Sequence, residues 1–410
     1  MTVKLNRARG GRYVKAVVLA AGEGKRLRPF TMSRPKGMIP VGNRPILEYI
    51  VEALVKNGVK DIILVVGYRK DTIMLHFQDG RKFGANVDYV VQDKQLGTAH
   101  ALSLASGLLE GEDFLVVAGD NLIDSRIVAD LMANRDGPSM VVTESEIPSK
   151  YGVVKVVGGK ITEVVEKPDY KMGNIINTGM YFFPHQVMEH FKDQVFTSER
   201  GITQILSPMV RKLEFNAVHT KGKWIDAVYP WDLLNVNAQA LEFQGQGIAG
   251  TVEPGVTIKG PVDVGAGTRI RSGCYIEGPV SIGEGCDIGP NVTILPSTSI
   301  GNAVQVEPFT FISHCLIMSN VMVGSHSHLS RSVIGDGVRA RAGLFAPSSG
   351  CYARVDKELF KLADVGALIG QDTTIGSRVV ISPGTVVGSS CRIEDGVKVS
   401  GNLENKSVVV

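Results

Sequence analysis

From Lys15 to about Gln244 the chain alternates short apolar runs with longer amphipathic stretches. Ala16–Ala20, Ile62–Val66 and Phe114–Ala118 are continuous apolar runs of strand length, as expected of strands covered on both faces. Between Pro45 and Asn57 the apolar residues Ile46, Leu47, Ile50, Leu54 and Val55 recur at helical spacing and predict a helix. Strand, helix, strand in this order predicts an α/β domain built on a Rossmann-like mixed or parallel sheet. Ligands of such sheets sit at the carboxyl ends of the strands, so the polar loops after Leu19 and after Ala118 are the first candidates for a site.

The rhythm changes after about Gln244. Every sixth residue from Val252 through Ile258, Val264, Ile270, Ile276, Ile282, Ile288, Ile294, Ile300 and Val306 to Ile312 is Val or Ile. After a shift of register come Ile317, Val323 and Leu329, and a third run continues from Ile369 to Val399. A six-residue unit places one aliphatic side chain inward, and small residues such as Gly265 or Gly283 relieve the corner. The spacing alone predicts a coiled solenoid. It resembles the hexapeptide-repeat family, which implies a left-handed parallel β-helix. Arg339–Gly366 breaks the period and is expected to be a projecting loop or a distorted coil. The predicted organisation is a tail over 1–14, an α/β domain over 15–244 and a β-helix over 245–410.

Length and composition agree with this division. A chain of 410 residues is too long for one ordinary core. A net charge of +3 is too small for a dedicated nucleic-acid binder. The five cysteines lack C-x-x-C spacing, which speaks against a zinc site or disulfide framework and for reduced thiols in the cytoplasm. Residues 1–14 have no apolar core like that of a signal peptide, and no apolar run approaches the ~18 residues of a membrane span.

The chemistry concentrates in the first half. Leu19-Ala20-Ala21-Gly22-Glu23-Gly24-Lys25-Arg26 follows the first strand; glycines there let backbone N–H groups approach a phosphate chain. Arg34-Pro35-Lys36 follows. Together these resemble the G-x-G-T-R and P-K signature of the sugar-phosphate nucleotidylyltransferase superfamily, of the bifunctional archaeal uridylyl- or thymidylyltransferase type that ends in a β-helix. The resemblance covers residues 15 to 235 and continues in order. It implies a base-reading role for Gln92 and a nucleotide-binding role for Leu19, Ala21, Gly22, Gly97 and Thr98. The Leu96-Gly97-Thr98-Ala99-His100-Ala101 segment is similar to the uridylyltransferase branch. It implies Asp120 and Asp226 as the carboxylates that hold Mg²⁺, and Gly152, Glu166, Lys167 and Asn177 as the sugar-phosphate site. Arg26 and Lys36 would hold the triphosphate and neutralise the leaving group. Lys25 stands where the family has Thr, Ala118 where some branches have an aromatic residue, and Gly37 is unusual between Lys36 and Met38.

Physical chemistry supports the same reading. A sugar phosphate is already an anion near pH 7, so attack on a nucleoside triphosphate needs no strong base. It needs cations that bring two anions together and spread the transition-state charge. Taken singly each residue has a plainer role: Asp120 capping the next helix, Thr98 capping the helix that follows it, His100 packing, Glu166-Lys167-Pro168 as a surface turn.

In the second half His328-Leu329-Ser330 partly resembles an acetyltransferase segment, with Arg331 where a Tyr is expected. That implies His328 as a possible acetyl-transfer base and acetyl-CoA as a possible partner; the plainer reading is an exposed histidine on a solenoid face. The family also implies a homotrimer joined through the β-helix. Three functions follow: nucleotidyl transfer from UTP or dTTP to glucose-1-phosphate or an amino-sugar-1-phosphate; a bifunctional enzyme that also N-acetylates glucosamine-1-phosphate; and a non-catalytic regulatory subunit. The retained Asp120, Asp226, Arg26 and Lys36 argue against the last.

Overall fold

The computed structural model describes residues 14–109, 111–192, 198–355 and 358–410; nearly all of the expected tail lies outside them. The chain divides into two compact units. One holds the residues up to Gly22 together with Tyr49–Trp224; the other holds Glu23–Glu48 together with Ile225–Val410.

In the first unit the apolar runs form β1 (Val14–Ala20), β2 (Asp61–Val66), β3 (Asn86–Val91) and β4 (Asp113–Ala118). The predicted helix is α1 (Ile46–Lys56), which bridges the boundary; α2 (Lys70–Phe77), α3 (Gly97–Leu104) and α4 (Ser125–Ala133) follow. Then come β5 (Ser139–Glu144), β6 (Gly152–Val157), β7 (Lys160–Glu166), β8 (Ile175–Phe183), the short α5 (Ile202–Leu206) and β9 (Asn216–His219). The strands make one nine-stranded sheet in the order β3-β2-β1-β4-β8-β5-β9-β7-β6. Strands β1 to β4 run parallel, with Val17 opposite Ile63 and Val116, and β8 runs antiparallel to both neighbours. The sheet is therefore mixed. Val17, Val65, Val116 and Phe183 are buried among helical residues such as Leu102 and Phe191, the aliphatic payload that the continuous apolar runs foretell.

The second unit contains the β-helix. Three parallel sheets of nine, nine and eight short strands wind around a core of stacked aliphatic side chains, a left-handed β-helix. The periodic residues are the core: Ile276 pairs in register with Ile294, Ile294 with Ile312, and Ile312 with Leu329. Cys274, Cys286, Cys315 and Cys391 are buried in it with free thiols.

The period break is narrower than the sequence predicts. Arg339–Ala340 and Phe345–Ala346 keep their places in the coil, pairing with Thr374–Ile375 and with Val380. The excursion begins only at Ser349, and it is an ordered antiparallel hairpin of Ser349–Val355 and Glu358–Val365 rather than a loop. Ala340 and Ala346 hide the period because they are small, yet both are buried in the core. The hairpin leaves from the same corner at which the coils after Ile312 and Leu329 lose one residue, the origin of the register shift. Its Phe360 packs on Tyr229 and Trp231, with ring centroids 4.4 and 5.4 Å apart, next to α6 (Asp232–Glu242). No helix among the described residues is long and apolar enough to cross a membrane.

Candidate active site

In the first unit the carboxyl ends of β1 to β4 are knitted together by backbone contacts. Tyr68 N–H donates to Ala21 O at 3.0 Å, Gln92 N–H to Val66 O at 2.8 Å, and Gly119 N–H to Leu19 O at 2.9 Å. A side chain on Gly119 would meet Leu19 O at 2.8 Å, so only glycine lets the Gly119-Asp120 turn lie against the end of β1. Leu19, Ala21, Gly22, Gln92 and Asp120 thus gather at the edge where ligands of such sheets bind.

Gln92 is buried, and its amide nitrogen lies 3.0 Å from both Gly97 O and His100 Nδ1. His100 and Gly97 therefore orient the glutamine. Thr98 does not cap α3; its hydroxyl accepts from Ile202 N–H at 3.0 Å. The same turn exchanges backbone bonds with Arg200, from Arg200 N–H to Leu96 O and from Ala99 N–H to Arg200 O, each 3.1 Å. Nor does Asp120 cap the helix after it: Asp124 caps α4, accepting from Arg126 and Ile127 N–H at 3.0 and 3.2 Å.

A second cluster gathers on β6, β7, β8 and α5. A side chain on Gly152 would meet Glu166 Oε2 at 3.1 Å and Thr203 Cγ2 at 3.3 Å, so the bare Gly152 borders the space in which Glu166 ends. Lys167 takes a left-handed backbone (φ 43°) and its ammonium is half exposed, 3.9 Å from Glu166. β8 slips register against β5 between Asn177 and Tyr181, an irregularity of the kind that redirects side chains beside sites. Asn177 Nδ2 donates to Tyr181 Oη at 2.5 Å and lies 3.3 Å from Thr203 Oγ1. Burial pushes the Tyr181 phenol up to about 12, and its bonds with Asn177 and Thr203 oppose that rise, so the phenol stays protonated. Tyr181 and Thr203 are absent from the sequence-derived set. Spacing did not offer Tyr181, since residues four apart in a regular strand stand ~13 Å apart; the register slip, with Gly179 at φ 77°, brings its hydroxyl to Asn177. Thr203 carried no signal, because α5 reaches the cluster only through the fold.

In the second unit the Glu23–Glu48 segment carries Arg26 and Lys36. Arg26 is exposed on a short 3₁₀ turn whose Leu27 is buried, and Arg28 is paired with Glu23. Gly24 has φ 74° and a side chain there would meet Lys36 Cβ at 3.0 Å, so glycine is required for both reasons. Lys36 is 7% exposed, and its ammonium lies 2.5 Å from Asp226 Oδ1. Withdrawing charge from water costs several kcal/mol, and the contact between the two offsets part of it.

No group of three or more His, Cys, Asp or Glu side chains among the described residues forms a cage for a metal ion. Carboxylates outside such a cage suit a hard divalent ion that takes its other ligands from water and phosphate, and do not suit a closed structural site.

The first unit thus offers a parallel-sheet edge open to a ligand, and the second a glycine-bearing loop with a buried lysine paired to a carboxylate. Residues 15–242 match the family described as nucleotidyl transferase, and the chain belongs to that family. Family members use a divalent metal ion. Residues 276–344 match the GMPPB C-terminal domain. The chain is 34% identical over 410 residues to the Bifunctional protein GlmU of Methanococcus maripaludis, covering 96% of each. It is 32% identical over 265 residues to the glucose-1-phosphate thymidylyltransferase of Streptomyces antibioticus, covering 63% of this chain and 74% of that relative. A crystal structure from Bacillus anthracis, assigned as a glucose-1-phosphate thymidylyltransferase and containing sucrose, matches with a TM-score of 0.53 and 28% identity, over 57% of this chain and 98% of that one.

Proposed function

We propose that the protein transfers a nucleotidyl group from UTP or dTTP to glucose-1-phosphate or an amino-sugar-1-phosphate. A phosphate oxygen of the sugar phosphate forms a bond to the α-phosphorus, the bond from the α-phosphorus to its bridging oxygen breaks, and pyrophosphate leaves with the electron pair. The observation that carries the reading is the Lys36–Asp226 pair, a buried lysine against a partly buried carboxylate: a chain withdraws such charges from water at a cost, and here each is a group the reaction needs.

Lys36 and Arg26 hold the triphosphate and the charge that develops on the leaving group. The backbone of Leu19, Ala21 and Gly22 and the Gly97-Thr98 turn cradle the nucleotide, and Gln92 reads the base edge. Gly152, Glu166 and Asn177 receive the sugar and Lys167 its phosphate. Asp120 and Asp226 are the carboxylates for Mg²⁺, which supplies charge neutralisation at the phosphates when bound. With triphosphate bound, Lys36 would exchange Asp226 for phosphate oxygens, and that carboxylate would then be available to hold the metal. Solubility in the cytoplasm and a homotrimer joined through the β-helix belong to the same reading. The exposed Phe309 and Phe345 on the β-helix support the trimer.

A second activity, N-acetylation of glucosamine-1-phosphate from acetyl-CoA with His328 as base, is favoured by one observation. The His328 ring stacks on Phe311 at 4.8 Å and lies 5.1 Å from Phe345, and burial holds its pKa below the usual histidine range. A neutral imidazole is the form a general base requires.

The test is pyrophosphate release with Mg²⁺ from UTP, dTTP, ATP, CTP and GTP against glucose-1-phosphate and glucosamine-1-phosphate, with EDTA controls, and thiol release from acetyl-CoA in parallel. Metal-dependent release with UTP or dTTP is the expected result. No release with any pair would raise the regulatory subunit above the enzyme.

A further inference from the structure

The segment that carries Arg26 and Lys36 is fastened to the β-helix. Arg34 donates to Asp336 Oδ2 at 2.5 Å and Ser33 Oγ to Gln371 Oε1 at 2.5 Å. Asn43 Nδ2 donates to Ser281 Oγ and to Ile300 O, both at 2.9 Å. The buried Asn237 of α6 accepts from Gly42 N–H at 2.8 Å and from Ser299 Oγ at 2.7 Å. Asp336 and Gln371 are equivalent corners of adjacent coils, since Val333-Ile334 pair with Leu368-Ile369 immediately before them.

The corner column explains why Asp336 stands out. Asn302 Oδ1 accepts from Glu284 N–H at 2.9 Å, Ser319 Oγ from Asn302 N–H at 3.1 Å, and Asp336 Oδ1 from Ser319 N–H at 3.2 Å. A neutral amide or hydroxyl serves that ladder on the neighbouring coils. The charge of Asp336 is surplus to it, and its other oxygen takes the Arg34 guanidinium.

We propose that Asp336 and Gln371 are positioning residues for nucleotidyl transfer, aiming Lys36 through Ser33 and Arg34. The linkage has little slack. Only Pro35 separates Arg34 from Lys36, its φ is held near the ring's value at −71°, and Lys36 then opens a 3₁₀ turn. The β-helix is thereby a foundation for the phosphate-binding segment. The inference rests on the reading of Lys36 as a triphosphate ligand.

The experiment uses the full-length protein with Asp336→Asn, Gln371→Ala and the double variant. Asp336→Asn keeps an acceptor for the ladder and removes only the charge. Asp336→Glu tests rescue. Asn302→Ala breaks the ladder on a coil whose corner does not serve the segment. KM for dTTP or UTP and for the sugar phosphate are measured separately, with kcat and Tm. The expected result is a rise of about tenfold in the triphosphate KM for Asp336→Asn and more for the double variant. KM for the sugar phosphate stays unchanged, Asp336→Glu recovers most of the loss, and Asn302→Ala has no effect on either KM. A triphosphate KM within twofold of wild type in the double variant, or a fall in kcat that merely follows a fall in Tm, overturns the proposal and leaves the nucleotidyltransferase reading intact. Should wild type turn over no pair, calorimetric binding of Mg²⁺–dTTP and Mg²⁺–UTP to the same variants decides; wild type that binds neither removes Lys36 from its role and the proposal with it.

Discussion

Gly97→Ala strikes the turn on which the orientation of Gln92 depends. Gly97 has φ 87°, a conformation that costs an alanine about 1–2 kcal/mol. Its new Cβ would stand 2.2 Å from the carbonyl oxygen and 2.6 Å from the amide nitrogen of Arg200. Both are backbone atoms and cannot swing aside, so the Leu96–Thr98 turn and the Arg200–Ile202 segment that leads into α5 must part by about 1 Å to reach van der Waals contact. That breaks the two backbone bonds with Arg200 and strains the one between Ile202 and Thr98. At ~1 kcal/mol for each bond lost, the total is about 3–4 kcal/mol. For a domain of some 200 residues this lowers Tm by roughly 6–15 °C if the turn unfolds with the rest. Gly97 O would also leave Gln92 Nε2, so the triphosphate KM should rise while the sugar-phosphate KM holds. The assay is a thermal melt with steady-state pyrophosphate release at varied triphosphate. A variant with wild-type Tm and wild-type nucleotide KM would refute the clamp between the two segments.

Asp120→Asn and Asp226→Asn should each lower turnover by more than about a hundredfold with the fold retained by circular dichroism; full activity in either variant would remove that carboxylate from the metal site. Tyr181→Phe withdraws the acceptor of the Asn177 amide, a loss of about 1 kcal/mol, and should raise KM for the sugar phosphate several-fold with nucleotide KM unchanged; equal effects on both substrates would count against the cluster as a sugar site. His328 is held neutral by burial, so its folded pKa lies below the unfolded value. The stability that follows is present above the ordinary histidine pKa and is lost as pH falls through the folded value. Wild type should therefore melt earlier on acidification below about pH 6.5 than His328→Gln does, and identical pH profiles of Tm would contradict it.

The candidate site could be picked out in the sequence because its residues come in short fixed strings. The strand ends, the Gly24 turn and Pro35-Lys36 follow from local rules of backbone conformation, and the aliphatic hexads follow from the repeat. The partners were not legible. Thr98 reads as a helix cap by position, yet its hydroxyl serves Ile202 on a distant segment, and Asp124 rather than Asp120 caps α4. Ala340 and Ala346 conceal the coil in the hexad pattern because small residues carry no hydropathy signal, although they fill the core as Ile does elsewhere. The hairpin after Ser348 looked like a loop because its strands, exposed over much of their length, lack clean alternation.

The sequence by itself determined the α/β-then-solenoid order, the family and the charged groups on offer, because periodicity and local motifs are set by residues only a few positions apart. Tertiary structure alone decided which distant groups meet: Lys36 with Asp226, Asn177 with Tyr181 and Thr203, Arg34 with Asp336. No spacing rule encodes those pairs. They arise where burial forces each polar group to find a partner, and the partner is whichever side chain the folded sheets and coils bring within reach.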